Sequence, residues 1–207
     1  MKKSAEIIQQ KLDSLSKEGL VTVMLTGGKS AEQLYIEWQK LENFKKLTNT
    51  MFYFGDERCV PLDSPESNFG MAMKTLFING LPNNCKIYRI QADKKKLKIV
   101  ARQYSRLLPN SIDILILGLG DDGHIASLFP YSSQLNEQNQ LCIPVVTPKP
   151  PYKRLTITPL VVKNAKTIYI LAPGRKKQKI VECAKKQPIN INRLPIQMII
   201  NPIWCVD

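Results

Sequence analysis

Short runs of apolar and β-branched residues alternate along this chain with longer amphipathic stretches, and that alternation limits the fold more than any other feature. Runs this short are strands buried on both faces, and the amphipathic stretches between them are helices that lay one apolar stripe on a sheet. The reading predicts strands over 21–26, 51–55, 86–90, 112–118, 142–146, 155–158 and 167–172. It predicts helices over 4–17, 31–40, 68–77, 94–108 and 176–186. Strands and helices taking turns imply an α/β fold: a doubly wound, mostly parallel sheet with helices on both faces, Rossmann-like in plan. No repeat, low-complexity tract or flexible linker divides the 207 residues, so one domain over 1–207 is expected. Thr147-Pro148-Lys149-Pro150-Pro151 reads as a stiff surface loop.

Composition narrows the partners. Residues 1–20 interleave apolar side chains with Lys, Glu, Gln and Asp, so they read as an amphipathic helix and not as an export signal. No apolar run approaches the roughly 20 residues that cross a bilayer, and a soluble protein with no membrane partner is expected. Cys59, Cys85, Cys142, Cys183 and Cys205 are an odd number, scattered without a C-x-x-C pair, which argues against a disulfide framework and a zinc site and fits the cytoplasm. Thirty Lys and Arg against 17 Asp and Glu leave a net charge of +13, a field that attracts nucleic acid, anionic membrane or a phosphorylated metabolite. The basic runs carry no interleaved aromatic residues and no helix-turn-helix or zinc pattern accompanies them, so nucleic acid is not the expected partner.

In a doubly wound sheet a ligand sits outside the carboxyl ends of the strands, which directs attention to the loops that follow them. Three are chemically unusual: Gly27-Gly28-Lys29-Ser30, Asp56-Glu57-Arg58, and Gly118-Leu119-Gly120-Asp121-Asp122-Gly123-His124. Two nucleotide motifs nearly occur there. Gly28-Lys29-Ser30 ends like a phosphate-binding P-loop, but the required earlier glycine is Val23, inside a strand. Gly118-x-Gly120-x-x-Gly123 matches the dinucleotide fingerprint, yet Asp121 and Asp122 would face a pyrophosphate with two negative charges and Pro130 stops the next helix. What remains is a glycine turn presenting the one histidine of the chain, His124, two residues from Asp122. Imidazole exchanges protons near neutrality and a carboxylate can hold its tautomer, so His124 and Asp122 are the candidate catalytic pair.

Taken together, Phe54-Gly55-Asp56-Glu57-Arg58-Cys59-Val60-Pro61 with Glu66-Ser67-Asn68, and Gly118 through Pro130, resemble the loops of the 6-phosphogluconolactonases. Weaker matches at Arg154-Leu155-Thr156-Ile157-Thr158, Gly174-Arg175-Lys176-Lys177, and Trp204 near Asp207 extend the similarity over nearly the whole chain. The resemblance implies hydrolysis of 6-phospho-D-glucono-1,5-lactone to 6-phosphogluconate in the oxidative pentose phosphate pathway, by a cytoplasmic enzyme without metal or organic cofactor. It implies that His124 activates water with Asp122 as its companion. Donors for the tetrahedral oxyanion are expected from backbone N–H groups of the glycine turn and from Arg58. Gly27, Gly28, Lys29 and Ser30 are expected to take the 6-phosphate at the start of the following helix, with charge added by Arg58 and Lys177. Asp56, Glu57, Asn68, Gly120 and Gly123 complete the candidate substrate site, although the pattern alone reads Asp56 and Glu57 equally as loop and N-cap residues with Arg58 as their salt-bridge partner. Arg154 reads first as a residue that pins a strand end and second as a substrate ligand. A monomer is expected.

Some positions depart from that family's pattern. Lys29 stands where a hydroxyl residue is usual, Ala31 where proline is, and Ile125 where threonine is common. Ile125 points toward the related glucosamine-6-phosphate deaminases, which share an Asp-Gly-His-Ile-Ala run but then carry a glutamate where this chain has Phe129, and Tyr where it has Arg58. A non-catalytic sugar-phosphate sensor is the third alternative, and it would need neither His124 nor Asp122.

Overall fold

Apolar strands pair side by side in the computed structural model, which describes residues 1–206. The C-terminal Asp207, half of one family match noted above, lies outside the described residues. The elements run α1 (Lys2–Ser16), β1 (Val21–Leu25), α2 (Lys29–Trp38), α3 (Glu42–Lys45), β2 (Thr50–Phe54), β3 (Asp56–Arg58), α4 (Asn68–Lys74), β4 (Lys86–Tyr88), α5 (Leu97–Leu107) and β5 (Ile114–Gly118). Then follow β6 (Cys142–Val146), β7 (Lys153–Ile157), α6 (Pro159–Lys163), β8 (Thr167–Leu171), α7 (Arg175–Lys186) and β9 (Ile203–Cys205). Among the described residues no helix is long and apolar enough to cross a membrane.

Six strands form one sheet in the order β4-β2-β1-β5-β8-β9, every neighbouring pair parallel. From β1 the chain winds toward the β4 edge, and from β5 it winds toward the β9 edge. Right-handed crossovers therefore lay α2 and α4 on one face and α5 and α7 on the other. Residues Ala5, Ile8 and Leu12 of α1, spaced one helical turn apart, bury against α2, where Trp38 is fully enclosed and donates its indole N–H to Gln9 at 2.7 Å. Both winding directions start at the β1–β5 seam, so the loops after β1 and β5 diverge there and open a crevice.

The expectation of a single sheet is refined at one place. β6 and β7, predicted as strands, pair with each other antiparallel, and β3 joins β7 to make a separate three-stranded sheet. β3 begins one residue after β2: Gly55 continues the ladder by donating to Leu25 O at 2.8 Å and accepts from Ile157 N at 2.8 Å. The small sheet thus hangs from the carboxyl end of β2, beside the crevice.

Two buried tyrosines fasten the strand ends from which the rim loops leave. The Tyr35 hydroxyl accepts from Thr26 N (2.9 Å) and donates to Thr26 O (2.8 Å). Tyr104 does the same at Phe54, both bonds 2.8 Å. Each phenol satisfies backbone groups that the departing chain would otherwise leave unpaired, and burial pushes both hydroxyls above their usual ionisation range.

Candidate active site

A cavity of about 360 Å³ opens at the seam, walled by the loops after β1 and β5, by β3, and by Lys149, Arg154 and Lys177. The β5 loop is a tight glycine turn. Gly120 N donates to His124 O at 2.9 Å and Gly123 N to Gly120 O at 3.0 Å, so the N–H groups of these two glycines close the turn and are not free oxyanion donors, against the expectation for them. Gly123 adopts φ 84°, and a Cβ there would also meet Leu194 Cδ2 at 2.8 Å. At Gly120 a Cβ would fall 1.9 Å from the His124 ring. The turn therefore folds His124 back onto Asp122.

His124 Nδ1 lies 2.5 Å from Asp122 Oδ1, and the same oxygen accepts the His124 backbone N–H at 3.2 Å. With Nδ1–H donating to the carboxylate, Nε2 carries the lone pair. Nε2 has no protein partner among the described residues, and the ring lines the cavity. Phe129 stacks on the imidazole with ring centroids 4.2 Å apart and planes 20° off parallel. The other carboxylate oxygen of Asp122 takes Lys149 Nζ at 2.9 Å. Burial by itself would raise the Asp122 pKa, but hydrogen bonds from His124 and Lys149 outweigh it and hold the group well below the usual carboxylate range.

Cations crowd the rest of the cavity lining. Lys29 stands at the first residue of α2, where Gly28 caps the helix with φ 90°. The N–H groups of Lys29, Ser30 and Ala31 precede the first bond of that helix, Glu32 N to Gly28 O at 3.0 Å, and so belong to its unsatisfied N-terminus. Arg58 lies between α4 and the cavity: its Nη1 donates to Glu66 O at 2.7 Å, while its buried Nε has no partner. Lys177, in the first turn of α7, reaches Asp121 at 2.5 Å.

The sequence-derived site residues divide into two groups. Gly27, Gly28, Lys29, Ser30, Asp56, Arg58, Gly120, His124, Arg154 and Lys177 line the cavity; Asp122, Gly123, Glu57 and Asn68 do not. Asp122 stands behind His124. Glu57 turns away to the start of α4, where its carboxylate accepts from Asn68 N (2.8 Å), Phe69 N (2.7 Å) and Ser67 Oγ (3.2 Å), besides Arg58 N (2.8 Å). Asn68 packs under the first loop: its amide donates to Asp56 O at 2.8 Å, and a Cβ on Gly27 would overlap its Oδ1 at 1.7 Å. Asp56 takes the Ser127 hydroxyl at 2.6 Å, tying β3 to the β5 loop. Arg154 pins its own hairpin, donating to Pro151 O at 2.9 Å and to Lys149 O and Pro150 O at 3.3 Å each.

Lys149 was missed, although it sits in the proline-rich loop predicted from sequence. The available signal was a lysine flanked by prolines between two strands; what periodicity lacked was the antiparallel pairing of those strands, which aims their connection at the rim.

The family model described as glucosamine-6-phosphate isomerases/6-phosphogluconolactonase matches residues 1–204. Among curated relatives, 6-phosphogluconolactonase 3 of Saccharomyces cerevisiae is 32% identical over 189 residues, which is 84% of this chain and 76% of the yeast protein. The 6-phosphogluconolactonase of Haemophilus influenzae is 32% identical over 174 residues, 81% of this chain and 75% of the relative. The crystal structure of 6-phosphogluconolactonase from Thermotoga maritima superposes with a TM-score of 0.82 at 25% identity, covering 98% of this chain and 93% of that one. The chain belongs to the glucosamine-6-phosphate isomerase/6-phosphogluconolactonase family.

Proposed function

We propose that this chain is a 6-phosphogluconolactonase, hydrolysing 6-phospho-D-glucono-1,5-lactone to 6-phosphogluconate in the oxidative pentose phosphate pathway. The observation that carries the reading is the His124–Asp122 pair, with Nδ1 engaged and Nε2 open to a cavity walled by cations. The names of the relatives above support the same substrate. The scattered cysteines, with no C-x-x-C pair, fit a reducing cytoplasm.

Nε2 of His124 takes a proton from a water as the water oxygen bonds to the lactone carbonyl carbon. The carbonyl electrons move to its oxygen, giving a tetrahedral oxyanion. Collapse of that intermediate breaks the bond to the ring oxygen, which leaves with the proton now on the imidazolium. With the N–H groups of Gly120 and Gly123 spent in the turn, Arg58 remains of the expected oxyanion donors, beside the N–H groups of Asp121 and Asp122. The 6-phosphate is assigned to the Lys29–Ala31 end of α2, with Arg58 and Lys177 alongside. Phe129 bears on the deaminase alternative: where those enzymes place a glutamate, this chain stacks an apolar ring on His124, leaving no carboxylate to assist ring opening.

The test is the hydrolysis rate of freshly generated 6-phosphogluconolactone near neutral pH. The intact protein should accelerate it, and His124→Ala should lose about 10²–10⁴ of the acceleration, the range general acid–base catalysis supplies. Unphosphorylated gluconolactone should be a poor substrate. A rate equal to buffer, together with ammonia release from glucosamine-6-phosphate, would move the chain to the deaminase branch.

A further inference from the structure

We propose that Lys149 is a positioning residue for His124, acting through Asp122: it holds the second carboxylate oxygen so that the first stays on Nδ1. Three features of the structure support this role. The carboxylate is bracketed, with the ring and backbone N–H of His124 on Oδ1 and the ammonium on Oδ2. A carboxylate held at both oxygens cannot rotate away from the ring without breaking an ion pair.

The main chain at Lys149 is also fixed far more firmly than a half-exposed lysine requires. Its carbonyl accepts from Thr147 Oγ1 at 2.9 Å and from Arg154 Nη2 at 3.3 Å, and the next two carbonyls are also held by Arg154. Arg154 is itself buried and lies 4.0 Å from Asp56. Pro148, Pro150 and Pro151 limit the backbone on both sides. Finally, Lys149 Nζ and the Arg154 guanidinium both lie over the Phe129 ring, at 5.9 and 5.8 Å, and this is the ring that stacks on His124. The hairpin between β6 and β7 thus braces the imidazole twice, through the carboxylate and through the phenyl ring.

The charges facing the pair come from three directions. Asp121, paired with Lys177 of α7, adjoins it on the loop itself; Lys149 and Arg154 approach from the hairpin; Asp56 lies beyond Arg154. Lys149 is the cation in direct contact with Asp122. Without it, Oδ2 loses its ion-pair partner and the carboxylate is free to turn off Nδ1.

His124 is the one histidine of the chain, so its ring signals in NMR are assigned without further work. In Lys149→Met the Nδ1–H resonance, carried downfield by its short bond to Asp122, should weaken or move upfield as the carboxylate loosens, and in Lys149→Arg it should return toward the wild-type position. Lys149→Gln gives a second reading should the methionine variant fold poorly. The kinetic arm rests on the lactonase reading: in Lys149→Met, kcat should fall about fivefold or more with KM little changed, and Lys149→Arg should recover most of it. An Nδ1–H resonance identical in all variants would overturn the proposal. So would a raised KM with unchanged kcat, which would make Lys149 a ligand of the substrate. If the wild type shows no lactonase activity, the proposed function fails while the Nδ1–H resonance of His124 still decides this inference.

Discussion

Gly120 has no room for a side chain: a Cβ would lie 1.9 Å from His124 Nδ1 and 2.6 Å from Asp122 Oδ1. Gly28 presents the opposite case, with nothing within 4 Å of where a Cβ would stand but φ at 90°. The two glycines should therefore fail differently when changed to alanine. Gly28→Ala should cost about 1–3 kcal/mol of stability from backbone strain, read by urea unfolding. Gly120→Ala should push His124 off Asp122 and lower kcat by about tenfold or more, since a small displacement of an acid–base group suffices. A stability loss in Gly28→Ala and a kcat loss in Gly120→Ala would support that division; a normal kcat in Gly120→Ala would contradict it. At this scale His124, Asp122 and the glycine turn were legible because they lie within five consecutive residues. Of the two readings open for Glu57, ligand or helix cap, the structure shows the cap, and the reason is physical. A carboxylate one residue from a cavity residue looks like a ligand, but strand alternation sends neighbouring side chains to opposite sides, and Glu57 caps α4 instead.

Among the elements, β5 owes its register against β1 partly to one carboxylate. Asp113 Oδ2 accepts from Thr22 N at 2.9 Å and from Thr22 Oγ1 at 2.8 Å, and its Oδ1 meets Lys166 Nζ at 2.8 Å. Burial alone would raise its pKa; the Lys166 and Thr22 bonds overcome that and lower it. A depressed folded-state pKa contributes stability that is fully present above the unfolded carboxylate value of about 3.9 and is lost as pH falls through the folded value. Asp113→Ala should accordingly destabilise by about 1–3 kcal/mol at neutral pH, leaving Thr22 donors unpaired, and the gap from wild type should narrow below about pH 4. Unfolding midpoints at several pH values measure it, and a gap that stays constant into acid would refute the assignment. The strands that carried a clear apolar run were legible. β3, Asp56–Arg58, was not, because its three charged residues match no strand pattern and only pairing with β7 makes them one. Three-residue β9 and the short α3 and α6 likewise hold their shape by tertiary contact and offer too few residues for a period.

For the whole molecule, alternation of strands and helices sufficed to anticipate the parallel sheet and the crevice, since both follow from chain direction at the seam. It did not separate off the β3-β7-β6 sheet, because an apolar run is the same whether its partner is parallel or antiparallel. The charge was legible as a number and not as a field. With +13 overall and Lys29, Arg58, Lys149, Arg154 and Lys177 around one cavity, an anionic substrate is drawn in from beyond contact, while a neutral one is not. Screening sets in over about 10 Å at 0.1 M salt, comparable with the approach distance. Raising ionic strength should therefore lower kcat/KM for the phosphorylated lactone, roughly severalfold from low to physiological salt. The slow turnover of unphosphorylated gluconolactone should stay flat over the same range, which controls for effects of salt on His124 or on the fold. Lys29→Ala should flatten the first curve, since Lys29 makes no ion pair with the protein among the described residues and its charge is free to act on the ligand. Parallel declines for both substrates would show that salt acts on the enzyme itself, and two flat curves would remove the field from the account of how substrate reaches this site.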